Sequence, residues 1–175
     1  MKFGNLEFEP ASTRPELVSE SVKLAASGIS GLLVASIDSS LSNTAAFCEH
    51  YRISMDVSAN CVIVEAKRAD RVWYAACIVL ATTRADINGV VRKYLEARKV
   101  SFAPMEKTVE MTGMEFGGIT PIGLPGDIPV IVDSHVTEAE YVVIGSGIRG
   151  SKLLVKPEVL TGLPGAVVKD IVKPE

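Results

Sequence analysis

Apolar residues recur along this chain at helical and at strand spacing, and the alternation of the two sets out an α/β order of elements. Residues 15–27 read as a first helix: Pro15 suits a first-turn position, Leu17, Val18, Val22, Leu24 and Ala25 are apolar, and Gly28 ends it. Residues 32–37 predict a strand. A second helix starts at about Asn43, where Asn43 or Thr44 caps the exposed amides and Phe47, Cys48 and Tyr51 supply a buried stripe. Residues 61–66 and 72–81 are rich in β-branched and aromatic side chains, and the charged stretch 67–71 between them fits a hairpin connection. Asp86 caps a third helix in which Ile87, Val90, Val91, Tyr94 and Leu95 recur on one face, with Arg92, Lys93 and Glu96 opposite.

A short strand at 100–102 precedes a brief helix over 104–111 that Thr112 and Gly113 end. Short β runs follow at 129–133, 140–144 and 152–155, and residues 157–160 form a small closing helix. Hairpin-length connections outnumber helical crossovers. The expected fold class is therefore α/β, with a mixed, largely antiparallel sheet and surrounding helices. A chain of 175 residues, 47% of them hydrophobic, buries a core of one ordinary domain, 1–175, without metals or cross-links.

Two glycine-rich turns lie in the last third, GGITPIG at 117–123 and GSGIRG at 145–150. Glycine lets a ligand approach the main chain, and Pro121 stiffens the turn that presents the amides, so such turns suit carbonyl or phosphate oxygens. GSGIRG also matches the dinucleotide fingerprint directly after the strand-like run 141–144. The fingerprint requires a helix that returns to a parallel strand, with an acid about 20 residues further on. Here residues 151–156 read as a strand followed by Pro157, which leaves no room for that helix, and Asp170 falls at the right distance by chance.

The net charge of -3 and a pI near 5.5 argue against bulk nonspecific nucleic-acid binding and against DNA, while leaving room for a small RNA end held locally. Cys48, Cys61 and Cys77 are odd in number, lack metal-ligand spacing and lie in apolar stretches, which predicts buried free thiols in a reducing compartment, the cytoplasm. The N-terminus shows no charged-then-apolar leader, and no run approaches the about 18 apolar residues of a membrane span. No H-E-x-x-H, C-x-x-C or acid cluster implies a metal, and no cofactor is expected.

The order of elements, together with GGITPIG, the strand end at Asp133 and the turn from Gly147 to Gly150, resembles the YbaK family, which includes the editing (insertion) domain of bacterial prolyl-tRNA synthetases and its free-standing relatives. The resemblance covers roughly residues 30 to 170 and leaves 1–29 as an N-terminal strand and helix extension. It implies an aminoacyl-tRNA deacylase whose partner is the 3′ end of a mischarged tRNA, hydrolysed by loop amides and substrate groups rather than by a protein nucleophile. By that resemblance Gly117, Gly118, Ile119, Thr120 and Pro121 form the catalytic loop, with Gly145, Ser146 and Gly147 as a second wall. The family's strand-opening lysine, which meets the phosphate of the terminal nucleotide, is replaced here by Asn60. Asparagine donates hydrogen bonds but lacks the formal charge that strengthens them. Lys67, Arg68 and Lys152 are either replacements from other directions or ordinary surface cations.

Among other candidates, Asp133 is either a pocket group or a strand-end turn residue capping a helix that begins near Thr137. His135, just past it, is a candidate for the pocket lining, whereas His50 lies on the polar side of the second helix. Cys61 adjoins the altered lysine position and is either core or nucleophile. Three functions compete: a trans-editing deacylase, a binding module of the same fold that has lost turnover along with the lysine, and a dinucleotide-dependent oxidoreductase. Substrate amino acid and oligomeric state are not legible.

Overall fold

The two longest apolar runs pair with each other as one antiparallel hairpin, around which the other strands are arranged. In the computed structural model, which describes residues 1–173, three two-residue strands, β1 (Lys2–Phe3), β2 (Leu6–Glu7) and β3 (Glu9–Pro10), precede helix α1 (Glu20–Ala26) and strand β4 (Leu33–Ser36). Helix α2 (Thr44–Tyr51) leads into the hairpin of β5 (Ala59–Arg68) and β6 (Arg71–Leu80). Then come the helical turn α3 (Arg92–Tyr94), strand β7 (Lys99–Phe102) and helix α4 (Met105–Thr112). The last third holds β8 (Val130–Asp133), β9 (Val142–Gly145), β10 (Ser151–Val155), helix α5 (Pro157–Thr161) and β11 (Val167–Lys169).

Five strands in the order β11-β8-β6-β5-β7 form one sheet, and four in the order β3-β4-β10-β9 form a second. β8 runs parallel to both β6 and β11, whereas the other named pairs are antiparallel. This is the mixed, largely antiparallel α/β fold that the element order predicts. A parallel bridge between Ser58 and Val143 joins the foot of β5 to β9, and so holds the start of the first sheet against the edge of the second.

Strand alternation explains how one set of short runs fills three apolar clusters. Ile63, Ile78, Val130 and Val132 of the first sheet meet Val34, Val142, Ile144 and Leu153 of the second in the central cluster. Their neighbours Val64, Cys77, Val79 and Ile131 point the other way, onto Ile87, Val91 and Ile171. Ala35, Val143 and Leu154 cover the outer face of the second sheet against Phe8, Phe47 and Cys48. Both faces are buried, which is why the strands read as continuous apolar runs rather than alternating ones.

Three elements depart from the expected spans for identifiable reasons. The helix over 15–27 is broken: residues 15–17 form a 3-10 turn, Val18 is extended, and α1 starts only after Ser19, whose Oγ accepts from the Val22 amide at 3.3 Å. The break is tied down from outside, since the Ser19 amide donates to Ser146 O at 3.2 Å and the Ser151 hydroxyl donates to Leu17 O. The third helix is capped by Asp86 as expected, but residues 87–91 form a π-helical turn before α3. The wider turn rotates the face, so Ile87 and Val91 are buried while Val90 and Tyr94 are exposed. The hairpin connection is Ala69 and Asp70 alone, with Arg68 paired to Arg71, because Ala69 takes a positive φ of 53° that closes a tight turn.

Leu153 on β10 is fully buried in the central cluster, whereas Leu24, on the first helical pattern, is 76% exposed. Leu153→Ala should cost about 2–5 kcal/mol in a denaturant titration and Leu24→Ala no more than about 0.5 kcal/mol.

Candidate functional site

The two glycine turns meet backbone to backbone. Helix α4 ends at Gly113, and the chain turns at Gly117 with a φ of +84°, where a Cβ would lie 2.8 Å from Ser42 Oγ. Only glycine takes that conformation without strain. Gly145, at the end of β9, faces the first turn so closely that a Cβ there would sit 2.5 Å from Ile119 O and 2.8 Å from Gly118 O. Three main-chain bonds complete the joint: Gly147 N donates to Gly118 O at 2.7 Å, Glu115 N to Gly147 O at 2.9 Å, and Gly118 N to Glu115 O at 2.9 Å.

Those bonds divide the expected residues. The Gly118 amide is engaged internally, so it is not a free donor. The amides of Gly117, Ile119 and Thr120 form no internal hydrogen bond among the described residues. Thr120 is fully enclosed, and its Oγ1 has no partner among the described residues. Ser146 is fully buried as well, with its hydroxyl held among Ile148 O, Ser151 O and the Ser151 hydroxyl. Gly118, Ser146 and Gly147 thus build the joint rather than an open wall.

Beside the joint lies a cavity of about 510 Å³ lined by Gly117, Ile119 and Gly145 on one side and by Ser42, Thr44 and Asn60 on another. That volume is in the range of small-molecule sites. Asn60 opens β5, and its Oδ1 accepts from the Thr44 hydroxyl at 2.6 Å, which leaves its side-chain N–H donors without a partner among the described residues. Lys152 also lines the cavity. It lies on β10 opposite Gly145, is only 7% exposed, and its Nζ donates to Ser42 O at 3.3 Å and stands 5.3 Å from the centre of the Phe47 ring. Burial lowers its pKa below the ordinary lysine value. Arg149 stands at the rim over the exposed Phe116 ring at 5.6 Å, donating to Phe116 O at 3.3 Å and Ser39 O at 3.5 Å. Neither cation is in an ion pair among the described residues, and no carboxylate lines the cavity.

A larger hollow of about 670 Å³ lies on the Pro121 side of the first turn, against Ile29, Leu124, Ile128 and Val159. Its walls are mainly apolar, with Ser30 and Glu158 as their polar side chains and no lysine or arginine of the kind that lines the cavity at Asn60.

Asp133 and His135, expected beside the turn, do not line the cavity. Asp133 is fully buried at the end of β8, where Oδ1 accepts from the Ile171 amide at 3.0 Å and Oδ2 from the His135 amide and ring Nδ1 at 3.3 and 2.9 Å. The carboxylate is therefore a clamp between the β8 end and the segment after β11, and it caps a 3-10 turn over Ser134–Glu138. Asp170 brings its carboxylate within 4.8 Å of the Asp133 and His135 ligand atoms, but both Asp133 oxygens are already engaged. His50 is exposed on α2. Cys61 lines the cavity, yet burial, with Cys77 nearby, pushes its thiol far up, so it is a thiol and not a thiolate at neutral pH. Lys67 is paired with Glu65 at 3.2 Å and Arg68 donates to Glu96 O, so neither reaches the cavity.

Sequence reasoning missed Ser42, Thr44, Met105, Phe116 and Arg149 as cavity residues. Phe116 immediately precedes the first glycine turn and Arg149 sits inside the second, so adjacency to the turns was the available signal.

Residues 38–163 match the model of the aminoacyl-tRNA editing domain. The chain belongs to that family. Among solved structures, the editing-domain chain superposes on a candidate trans-editing enzyme for prolyl tRNA synthetase with a TM-score of 0.75 and 18% identity, over 90% of this chain and 99% of that one. A hypothetical protein gives a TM-score of 0.77 at 23% identity, over 88% of this chain and 100% of that one. A candidate signal transduction protein from Marinobacter aquaeolei VT8 gives 0.62 at 18% identity and is covered over only 31% of its length. At these identities the editing-domain chain shares the fold of those structures. No helix among its described residues is long and apolar enough to cross a membrane.

The Asp133 clamp carries a pH signature. Its hydrogen bond, and secondarily its charge, raise the pKa of His135 above the ordinary value near 6.5. A raised folded-state pKa gives stabilisation that is complete below the unfolded pKa and lost as pH rises through the folded one. His135→Gln should therefore lower Tm more at about pH 5.5 than at about pH 9, measured by thermal melts of both proteins.

Proposed function

We propose that this editing-domain chain is an aminoacyl-tRNA deacylase that acts in trans on the 3′ end of a mischarged tRNA. The observation that carries the reading is the cavity into which Gly117 and Ile119, with unengaged amides, and Asn60 all open. Family membership and the shared fold with a candidate trans-editing enzyme support it.

Hydrolysis adds water to the ester carbonyl carbon and breaks the bond to the ribose oxygen, which leaves as a hydroxyl with a proton from that water. Negative charge grows on the carbonyl oxygen in between. Amides of Gly117 and Ile119, fixed by the joint of the two turns, are donors for that oxygen and need no rearrangement as the charge develops. Cys61 is held as a thiol and both histidines lie outside the cavity, so none of the three supplies a thiolate or an imidazole base there. The family resemblance implies that groups of the substrate activate the water. The exposed Phe116 ring at the rim, beside Arg149, is a stacking platform for a terminal base. Three free cysteines fit a reducing compartment such as the cytoplasm, where charged tRNA is found.

Purified protein should release amino acid from at least one mischarged tRNA faster than buffer does. Gly117→Ala forces a Cβ against Ser42 and shifts the donors, and should cut the excess rate by about 100-fold or more while the thermal melt stays cooperative. Full release by that variant, or no release by the wild type from any mischarged tRNA, overturns the reading.

A further inference from the structure

We propose that Lys152 anchors a phosphate ester in this cavity, so that the positive charge absent at Asn60 reaches the site from β10 instead of from β5. The inference rests on the reading that the cavity receives a nucleotide end, and it concerns recognition rather than the reaction.

A buried ammonium is costly unless it is paired, and Lys152 is 7% exposed with no carboxylate partner among the described residues. Among the described residues its single acceptor is a neutral carbonyl, Ser42 O at 3.3 Å, and an ammonium has three donors. The Phe47 ring at 5.3 Å contributes a modest cation attraction only. For a purely structural role, a methionine of similar length would serve the packing without the desolvation cost. The charge is accounted for by a ligand.

The rest of the wall carries the same sign. Lys152 and Arg149 are the cations that line it, and no acidic residue among the described residues does. Thr44 and Ala45, at the N-terminus of α2, also line it, and a helix N-terminus attracts negative charge. Asn43 already caps the Ala45 and Ala46 amides, so the helix adds field while the direct bonds fall to Lys152 and to the free side-chain N–H of Asn60. Arg149 is held at the rim by two carbonyls, which leaves Lys152 as the cation at depth. An aminoacyl ester has no free carboxylate, so the anion that this wall meets on an aminoacylated nucleotide is its phosphate.

The test compares 5′-AMP with adenosine by calorimetry on the wild type, Lys152→Met and Lys152→Arg, with a thermal melt of each. The wild type should prefer 5′-AMP by about tenfold or more, Lys152→Arg should keep most of that preference, and Lys152→Met should lose it with adenosine affinity unchanged. Should Lys152→Met fail to fold, amide chemical shifts of the wild type decide: 5′-AMP must move Ser151, Lys152 and Leu153 where adenosine does not. Equal affinity of the wild type for the two ligands, or a preference that survives in Lys152→Met, overturns the proposal. None of these measurements involves ester hydrolysis. A protein that deacylates nothing but shows the Lys152-dependent preference refutes the reaction and keeps the anchor, and an active enzyme without it does the reverse.

Discussion

The contact of two glycine turns across Gly145 is the constraint on which the site depends. A single methyl group at that position would overlap the carbonyl oxygens of Gly118 and Ile119, and the bond from Gly147 N to Gly118 O could then not close at 2.7 Å. The joint orients what remains. With Gly118 engaged on both its amide and its carbonyl, the neighbouring Gly117 and Ile119 are held with their own amides unengaged, next to a cavity they also line. Distant parts of the chain reinforce the same joint: Ser19 bonds to Ser146 O, and that bond is what splits the first helical pattern. A local departure from helix propensity is thus the consequence of a tertiary requirement at the turns.

Much of the fold was legible because its strands are buried on both faces. Continuous apolar runs marked β5, β6, β8, β9 and β10, and capping residues marked the starts of α2 and the π-helical turn at Asn43 and Asp86. The two-residue strands β1 to β3 and the short β11 carry no such pattern, since a strand of two or three residues has no period to detect. The site was partly legible. Glycine spacing gave the turns, but which amide is engaged within the joint depends on main-chain bonds between segments some thirty residues apart, as between Gly118 and Gly147. Of the two readings of Asp133, pocket group or strand-end cap, the structure has the cap, and the carboxylate also satisfies the Ile171 amide of a segment that sequence patterning does not locate.

Position 60 shows how a charge is misjudged when one strand is read alone. By the family resemblance Asn60 stands where a lysine is expected, and β5 presents no positive charge at that position. The register of β10 against β9, however, sets Lys152 opposite Gly145, the residue that adjoins the first turn, and β10 is buried along its whole length. A lysine inside a five-residue strand that is otherwise apolar apart from Ser151 is itself a sequence signal, because an ammonium is seldom enclosed without cause. Of the two readings of Lys152, replacement charge or ordinary surface cation, its burial excludes the second. Net charge misleads in the same way: a chain at -3 still encloses a cavity with two cations and no acid.

The main-chain chemistry proposed for this site is compatible with a shared fold at low sequence identity. The editing-domain chain superposes on two solved structures at TM-scores of 0.75 and 0.77 while sharing 18% and 23% of residues with them. A site built on amides asks only that a few positions lack a side chain and that the turns be held; the side chains around it are free to change so long as the cavity keeps its sign and shape. Charge at depth is such a property of the whole wall, and it can move between strands that converge on the same space. A catalytic histidine or cysteine could not be relocated so readily, since its distance and angle to the reacting atom are fixed by one backbone position. On that argument, an asparagine at position 60 is compatible with the proposed loop, and the pairing of Lys152 with Gly145 across β10 and β9 is where the proposed compensating charge has the shortest structural path.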